Sequence, residues 1–340
     1  MLTPITRLTT ALTAALFSIL TAAASAQPIL WSTDVSADGS LVATSGKPTH
    51  WLYNTETLEP DPRAKNLPDA QATAVSFHPT KNILAISAYD EDTDNPIHTG
   101  LYNIDTQTFT PIPIEEGARG IDFNHDATLL ALSETTGAVS VWTVTDEPMQ
   151  VYYNLPENAK SLTGVAWNPT KDTLVTIGEY ITLHDLTTEE PKEPIRWKHR
   201  PDTAAFSLPL SVAWHPTGKF FIVSDYGHNE AAITPAITFW SHAAQHFRTV
   251  EHDGQEIRNV RWSPDGSRFA ATSDQLLVYN KDGKLLHASP APDHDPNLGE
   301  IPTLWGVAWS KDANWIFTTD LSGKSARWDA KAANPVYFGQ

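Results

Sequence analysis

The chain has 340 residues, no cysteine, 12 Trp, 12 Phe and 9 Tyr, and its 23 basic and 40 acidic side chains give a formal net charge of −17. The lack of cysteine excludes disulfides, thiolate metal sites, C-x-x-C-H haem attachment and a lipidated N-terminal cysteine. The acidic balance argues against nucleic acid and anionic lipid as partners, and is compatible with basic ones.

In chain order, the first feature is a leader. Arg7 is the only charge ahead of an apolar run from Leu8 to Ala23, broken by Thr and Ser, and Ala24-Ser25-Ala26 offers the small-x-small pattern of a signal-peptidase site. The expectation is a cleaved secretory signal over residues 1–26, a periplasmic or extracellular address, and one domain over residues 27–340. The rival is a short membrane anchor, but the run falls short of the roughly 20 apolar residues needed to span a bilayer. No Arg-Arg pair is present in the leader, which favours the general secretory route. Cleavage removes Arg7 and no acid, so 22 bases would face 40 acids, about −18.

A phrase then recurs: two β residues, an aromatic anchor, a turn with Pro, Asp or Gly, and a second β run. Its anchors are Phe77, Phe123, Trp167, Trp214, Trp262 and Trp309, with Val35 in a weaker first copy. Their spacings of 42, 46, 44, 47, 48 and 47 residues match blades of four strands each. The fold class is therefore all-β, a seven-bladed β-propeller of four-stranded antiparallel blades; the alternative is a six-bladed ring with a stray first repeat. One such sheet cannot bury both faces alone, so the anchors are expected to wedge between blades. Only Gln27 and Pro28 precede the first strand after cleavage, so Val336-Tyr337-Phe338 is expected to complete blade seven from the C-terminus.

Each repeat closes on an aromatic and a polar residue: Tyr53-Asn54, Tyr102-Asn103, Trp142-Thr143, Trp240-Ser241, Tyr279-Asn280 and Trp328-Asp329, with His184-Asp185 in the fourth. These pairs stand where the Trp-Asp dipeptide of WD-repeat proteins stands. The sequence thus resembles the WD-repeat family over residues 29 to 338, and the Trp262-Ser263-Pro264-Asp265-Gly266 phrase also resembles bacterial periplasmic propellers. Trp328-Asp329 is the only literal Trp-Asp pair, and no Gly-His dipeptide opens a repeat.

Irregularities point to one face. Repeats two and five are lengthened between their second and third strands, at Tyr89–Pro96 and Tyr226–Ala232, and the blade connections 191–210 and 289–303 are also long. Insertions gathered on one face mark the binding face of a repeat protein. Four residues before the anchors stand Trp31, Thr73, Arg119, Thr163, Leu210, Arg258 and Trp305. In WD-repeat proteins residues at this end contact partners, and two Trp with two Arg is a hot-spot composition. The candidate partner-binding residues are accordingly Trp31, Arg119, Arg258, Trp305, Tyr226 and His228; the plainer alternative is that the Trp pack between blades and the Arg pair with loop acids.

No phosphate-binding glycine loop, His-Glu-x-x-His or nucleophile elbow occurs. Asp90, Asp92 and Asp94 have calcium-loop spacing without its glycine or distal Glu, and Asp293, His294, Asp295 and Glu300 form a second weak cluster. No catalytic residue, cofactor or metal site is assigned, and His78 and His215, in turn phrases, are taken as structural. The expected function is a monomeric, non-enzymatic periplasmic scaffold binding an envelope protein or peptide, basic in character. The alternatives are a propeller hydrolase such as a metal-dependent lactonase, and a small-ligand sensor.

Overall fold

The computed structural model describes residues 29–47, 51–67, 71–88, 99–114, 116–156, 160–188, 190–201, 203, 206–228, 232–290 and 303–339. The leader, the Asp90–Asp94 loop and the Asp293–Glu300 cluster lie outside them. Seven antiparallel sheets follow one another along the chain, each ordered innermost to outermost as in the sequence. The inner strands are Ile29–Val35, Ala72–Phe77, Ala118–Phe123, Gly164–Trp167, Pro209–Trp214, Asn259–Trp262 and Leu304–Trp309. Each packs against the inner strand of the next blade, and the seventh packs against the first, which closes a ring around a central opening. In blade one the outer strand is reduced to a bridge between Tyr53 and Pro60, because neither Pro60 nor Pro62 has an N–H with which to extend the ladder.

The anchors wedge between blades as their period implies. Phe77, Phe123 and the four anchor Trp are all buried. Three indoles reach back to the preceding blade: Trp214 Nε1 donates to Ala166 O at 3.1 Å, Trp262 Nε1 to Ala213 O at 3.3 Å and Trp309 Nε1 to Arg261 O at 3.1 Å. The acceptor is each time the residue just before the previous anchor. At these three junctions one repeated hydrogen bond ties neighbouring sheets together while the anchors bury apolar area.

The polar residue after each closing aromatic has its own task. Asn54, Asn103, Asp185, Asn280 and Asp329 each accept, on a side-chain oxygen, the N–H two residues on, at 2.9–3.2 Å. These turns leave the third strand for the outer one, and an Asx side chain mimics the backbone there. His78 and His215 act similarly, since each Nδ1 accepts the N–H two residues later. His215 Nε2 also lies 3.1 Å from Gly266 O of the next blade, and burial lowers the pKa of both rings.

Although no repeat opens with Gly-His, blade five builds a buried polar chain. Trp240 Nε1 donates to Thr238 Oγ1 at 2.8 Å, which lies 3.5 Å from His199 Nδ1, and His199 Nε2 meets Asp225 Oδ2 at 2.9 Å. Arg200 Nη1 adds a 3.2 Å contact to the same oxygen, while Asp225 Oδ1 takes the N–H groups of Gly227 and Ala236. Burial works against the Asp225 charge, but His199, these amides and Arg200 outweigh it and hold the carboxyl below its ordinary range.

Among the described residues the ring closes without strand exchange. Val336–Phe338 pairs with Ser325–Asp329, so blade seven comes wholly from the C-terminal end. Phe338 stacks edge-on against Tyr53 of blade one, with centroids 5.0 Å apart, in a cluster with Val42 and Phe317. At Gly306 the seventh inner strand approaches Thr33 so closely that an added Cβ would stand 2.8 Å from its backbone nitrogen.

Candidate functional site

Five of the seven residues four before the anchors share one backbone feature. The ladder of the first two strands slips a register around Trp31, Thr73, Arg119, Leu210 and Trp305. In the other two blades the ladder starts one residue later, and Thr163 and Arg258 stand just outside it. A bulge residue is released from the strict alternation of the sheet and can be aimed independently. All seven therefore sit at the rim where the inner strands begin.

Structure brings three of the six candidate residues together. The Arg258 guanidinium carbon lies 4.5 Å from the Trp305 ring centroid and 5.6 Å from that of Tyr226. Three blades supply the stack: Tyr226 follows the second strand of blade five, while Arg258 and Trp305 introduce blades six and seven. The 2–3 loops and the blade connections thus share a face, as the lengthened repeats implied. Arg258 is mostly buried, and its Nη2 is engaged by Glu256 at short range. The expected Trp and Arg are adjacent, but the guanidinium lies within the protein surface instead of reaching out from it. Two donors are left over: Arg258 Nε and Trp305 Nε1 are buried with no hydrogen-bond partner. A buried donor without an acceptor costs about 1–3 kcal/mol.

The other candidates lie in blades one, three and five. Trp31 is buried in blade one, and Arg119 is half-buried in blade three. His228 is half-buried, and its backbone bridges Ile233 across the loop that Tyr226 begins.

A second polar group was not singled out by the rim position. One residue before the anchors, the inner strands carry Asp34, Ser76, Asp122, Ala166, Ala213, Arg261 and Ala308. Three charges in an otherwise small row were the available signal. Asp34 Oδ2 accepts Phe77 N of the next blade at 2.7 Å, and Asp122 Oδ2 accepts Trp167 N in the same way. These carboxylates satisfy N–H groups on the open edge of the following inner strand. Burial in the wall of the opening pushes Asp34 up and Asp122 up to about 7, against those hydrogen bonds and the Arg261 charge across the opening. Both are half-buried, so the wall surrounds them without sealing them from water. Among the described residues no three His, Asp or Glu side chains converge as metal ligands, and no helix is long and apolar enough to cross a membrane.

Comparison with known proteins agrees with the fold. A family model described as "WD domain, G-beta repeat" matches residues 245–286, which run from the outer strand of blade five through the inner three of blade six. The U3 small nucleolar RNA-associated protein 4 homolog of Homo sapiens is 24% identical over 229 residues, 66% of this chain and 31% of that protein. The chain therefore spans about a third of that relative's length. A chain in the crystal structure of the mitotic checkpoint complex superposes with a TM-score of 0.65 at 17% identity, covering 85% of this chain and 83% of that one. The chain is a WD-repeat-like β-propeller of seven blades. Propellers of this kind commonly serve as protein-interaction scaffolds.

Proposed function

We propose that this protein is an exported, non-enzymatic scaffold that binds an envelope protein or peptide on its loop-rich face around the central opening. The observation that carries the reading is the Tyr226–Arg258–Trp305 stack, with its two buried donors lacking acceptors. A partner carbonyl or carboxylate reaching the rim after a small rotation of Trp305 would satisfy both donors. Flat aromatics beside a pre-organised guanidinium lose little side-chain entropy on binding, which is the composition of interface hot spots. The acidic surface would steer a basic partner toward this face and speed encounter more than it deepens affinity.

The test is an affinity capture from the native envelope fraction with the full chain, beside R258A and W305A variants of unchanged melting behaviour. A protein held by the wild type and released by both variants supports the reading; equal capture by all three overturns it. The export part is tested by fractionation, where a mature chain retained in the cytoplasm would refute it.

A further inference from the structure

The wall of the central opening carries charge at three of its seven equivalent positions. Alternate residues of a strand share a face, so the positions one and three before each anchor look the same way. The row three before the anchors contains no ionisable residue, while the row one before them contains Asp34, Asp122 and Arg261 among one Ser and three Ala. Just after the anchors, His78 and His215 are buried and held in their turns. The three charged residues belong to blades one, three and six. Because each inner strand packs on the next and the seventh on the first, they are spaced around the whole ring and face one another across the opening, not side by side.

Each carboxylate is fixed in place, since Oδ2 of Asp34 and of Asp122 holds the anchor N–H of the following inner strand at 2.7 Å. Arg261 is exposed, and its Nη1 donates to Val260 O of its own strand at 3.1 Å. Among the described residues none of the three forms a direct ion pair, yet Arg261 acts on both carboxylates, and Asp34 on Asp122, through the opening. Fixed charges of both signs, each short of a counter-charge, are complementary to a molecule that carries both signs itself. A simple cation would meet repulsion from Arg261, and a simple anion repulsion from the two carboxylates. Burial pushes both carboxyls toward neutrality, and an arriving ammonium group would reverse that.

We propose that the central opening binds a small zwitterion of the amino-acid class, with its ammonium group between Asp34 and Asp122 and its carboxylate on Arg261. The site lies three residues further along the inner strands than the rim positions. It uses none of the residues of the Arg258 stack and does not depend on the scaffold reading.

The test titrates the full chain calorimetrically with glycine, γ-aminobutyrate and ε-aminocaproate, which differ in charge separation, beside n-butylamine, putrescine and butyrate as single-sign probes. Expected is saturable binding of at least one zwitterion, at least about tenfold tighter than any single-sign probe. D122N, which keeps an acceptor for Trp167 N, and R261A should each lose at least about tenfold with unchanged melting, while R261K retains most of the affinity and W305A all of it. Asp122 supplies a readout that a purely structural carboxyl would not move. With its pKa pushed up to about 7, binding of the ammonium group at pH 7 should release part of a proton. That release appears as a heat that varies with the ionisation enthalpy of the buffer, and D122N should show none. The proposal is overturned if no zwitterion binds, or if R261A or D122N binds as the wild type does. Binding of n-butylamine as tight as that of the best zwitterion overturns it equally, because the opening would then be a cation site alone.

Discussion

Arg327 of blade seven donates from Nη1 to the carbonyl oxygens of both Thr55 and Glu56 of blade one, at 2.8 and 2.9 Å, joining residues 272 and 271 positions apart in the chain. Its guanidinium also lies 4.6 Å from the Trp315 ring centroid. Among the described residues blade seven takes no strand from the N-terminal end, and this charge-assisted contact and the Phe338–Tyr53 pair add to the packing of the first and seventh inner strands in holding the first blade to the last.

Removing either should therefore loosen the ring as a whole. Hydrogen bonds to charged groups are worth about 1.5–3 kcal/mol, so R327A is expected to lose about 2 kcal/mol in urea unfolding. F338A should lose about 3–5 kcal/mol for a buried aromatic. The double variant should lose less than the sum, because both act on one seam. Simple additivity, or an R327A midpoint equal to wild type, would refute this account of closure.

Asp225 is the hub of the polar chain in blade five. D225A leaves His199 and Arg200 buried without their shared partner and should cost about 3–5 kcal/mol at pH 7, with D225N less harmful because it keeps an acceptor. Because the folded pKa is depressed, this carboxylate contributes stability above its unfolded value near 3.8 and loses it as the pH falls through the lower folded value. The gap between wild type and D225A should accordingly narrow in strong acid. A gap that stays constant to pH 2 would contradict the assignment.

Asp122 carries the opposite sign. With its folded pKa raised to about 7 from 3.8, its contribution is fully present below pH 4 and is lost as the pH rises through about 7. D122N should flatten the melting temperature between pH 5 and pH 8 relative to wild type. R261A removes the opposing positive charge and should steepen the decline. If D122N leaves the pH profile unaltered, the carboxylate is ionised throughout that range.

Trp305 offers a way to separate stability from binding. W305F deletes the unpartnered indole N–H while keeping an aromatic face over Arg258. Relieving a buried unsatisfied donor should leave the melting temperature unchanged or raise it, within about 1 kcal/mol, the low end of the cost of such a group. Partner capture should weaken at the same time. Weakened capture with marked destabilisation would instead make the tryptophan a structural wedge.

The local sequence determined the repeated unit. Anchors spaced by 42 to 48 residues, Asx residues after the closing aromatics and turn phrases with Pro, Asp or Gly each act within a few residues, so seven blades and their third-strand ends could be read in advance. Completion of blade seven by Val336–Phe338 was expected from the sequence, and the structure pairs that strand with Ser325–Asp329. Tertiary structure alone decided which charges meet. Arg258 was legible as a rim residue, but its burial between Tyr226 and Trp305 depends on three blades converging. The Asp34, Asp122 and Arg261 group was missed because its members lie 88 and 139 residues apart and interact only across the ring. Blade five's His199 escaped a search for Gly-His because the position in space, set by the long 191–210 connection, matters more than the dipeptide. Periodic patterns record what one blade needs to fold; electrostatic contacts between blades depend on the angle at which the ring closes, and no single repeat encodes that angle.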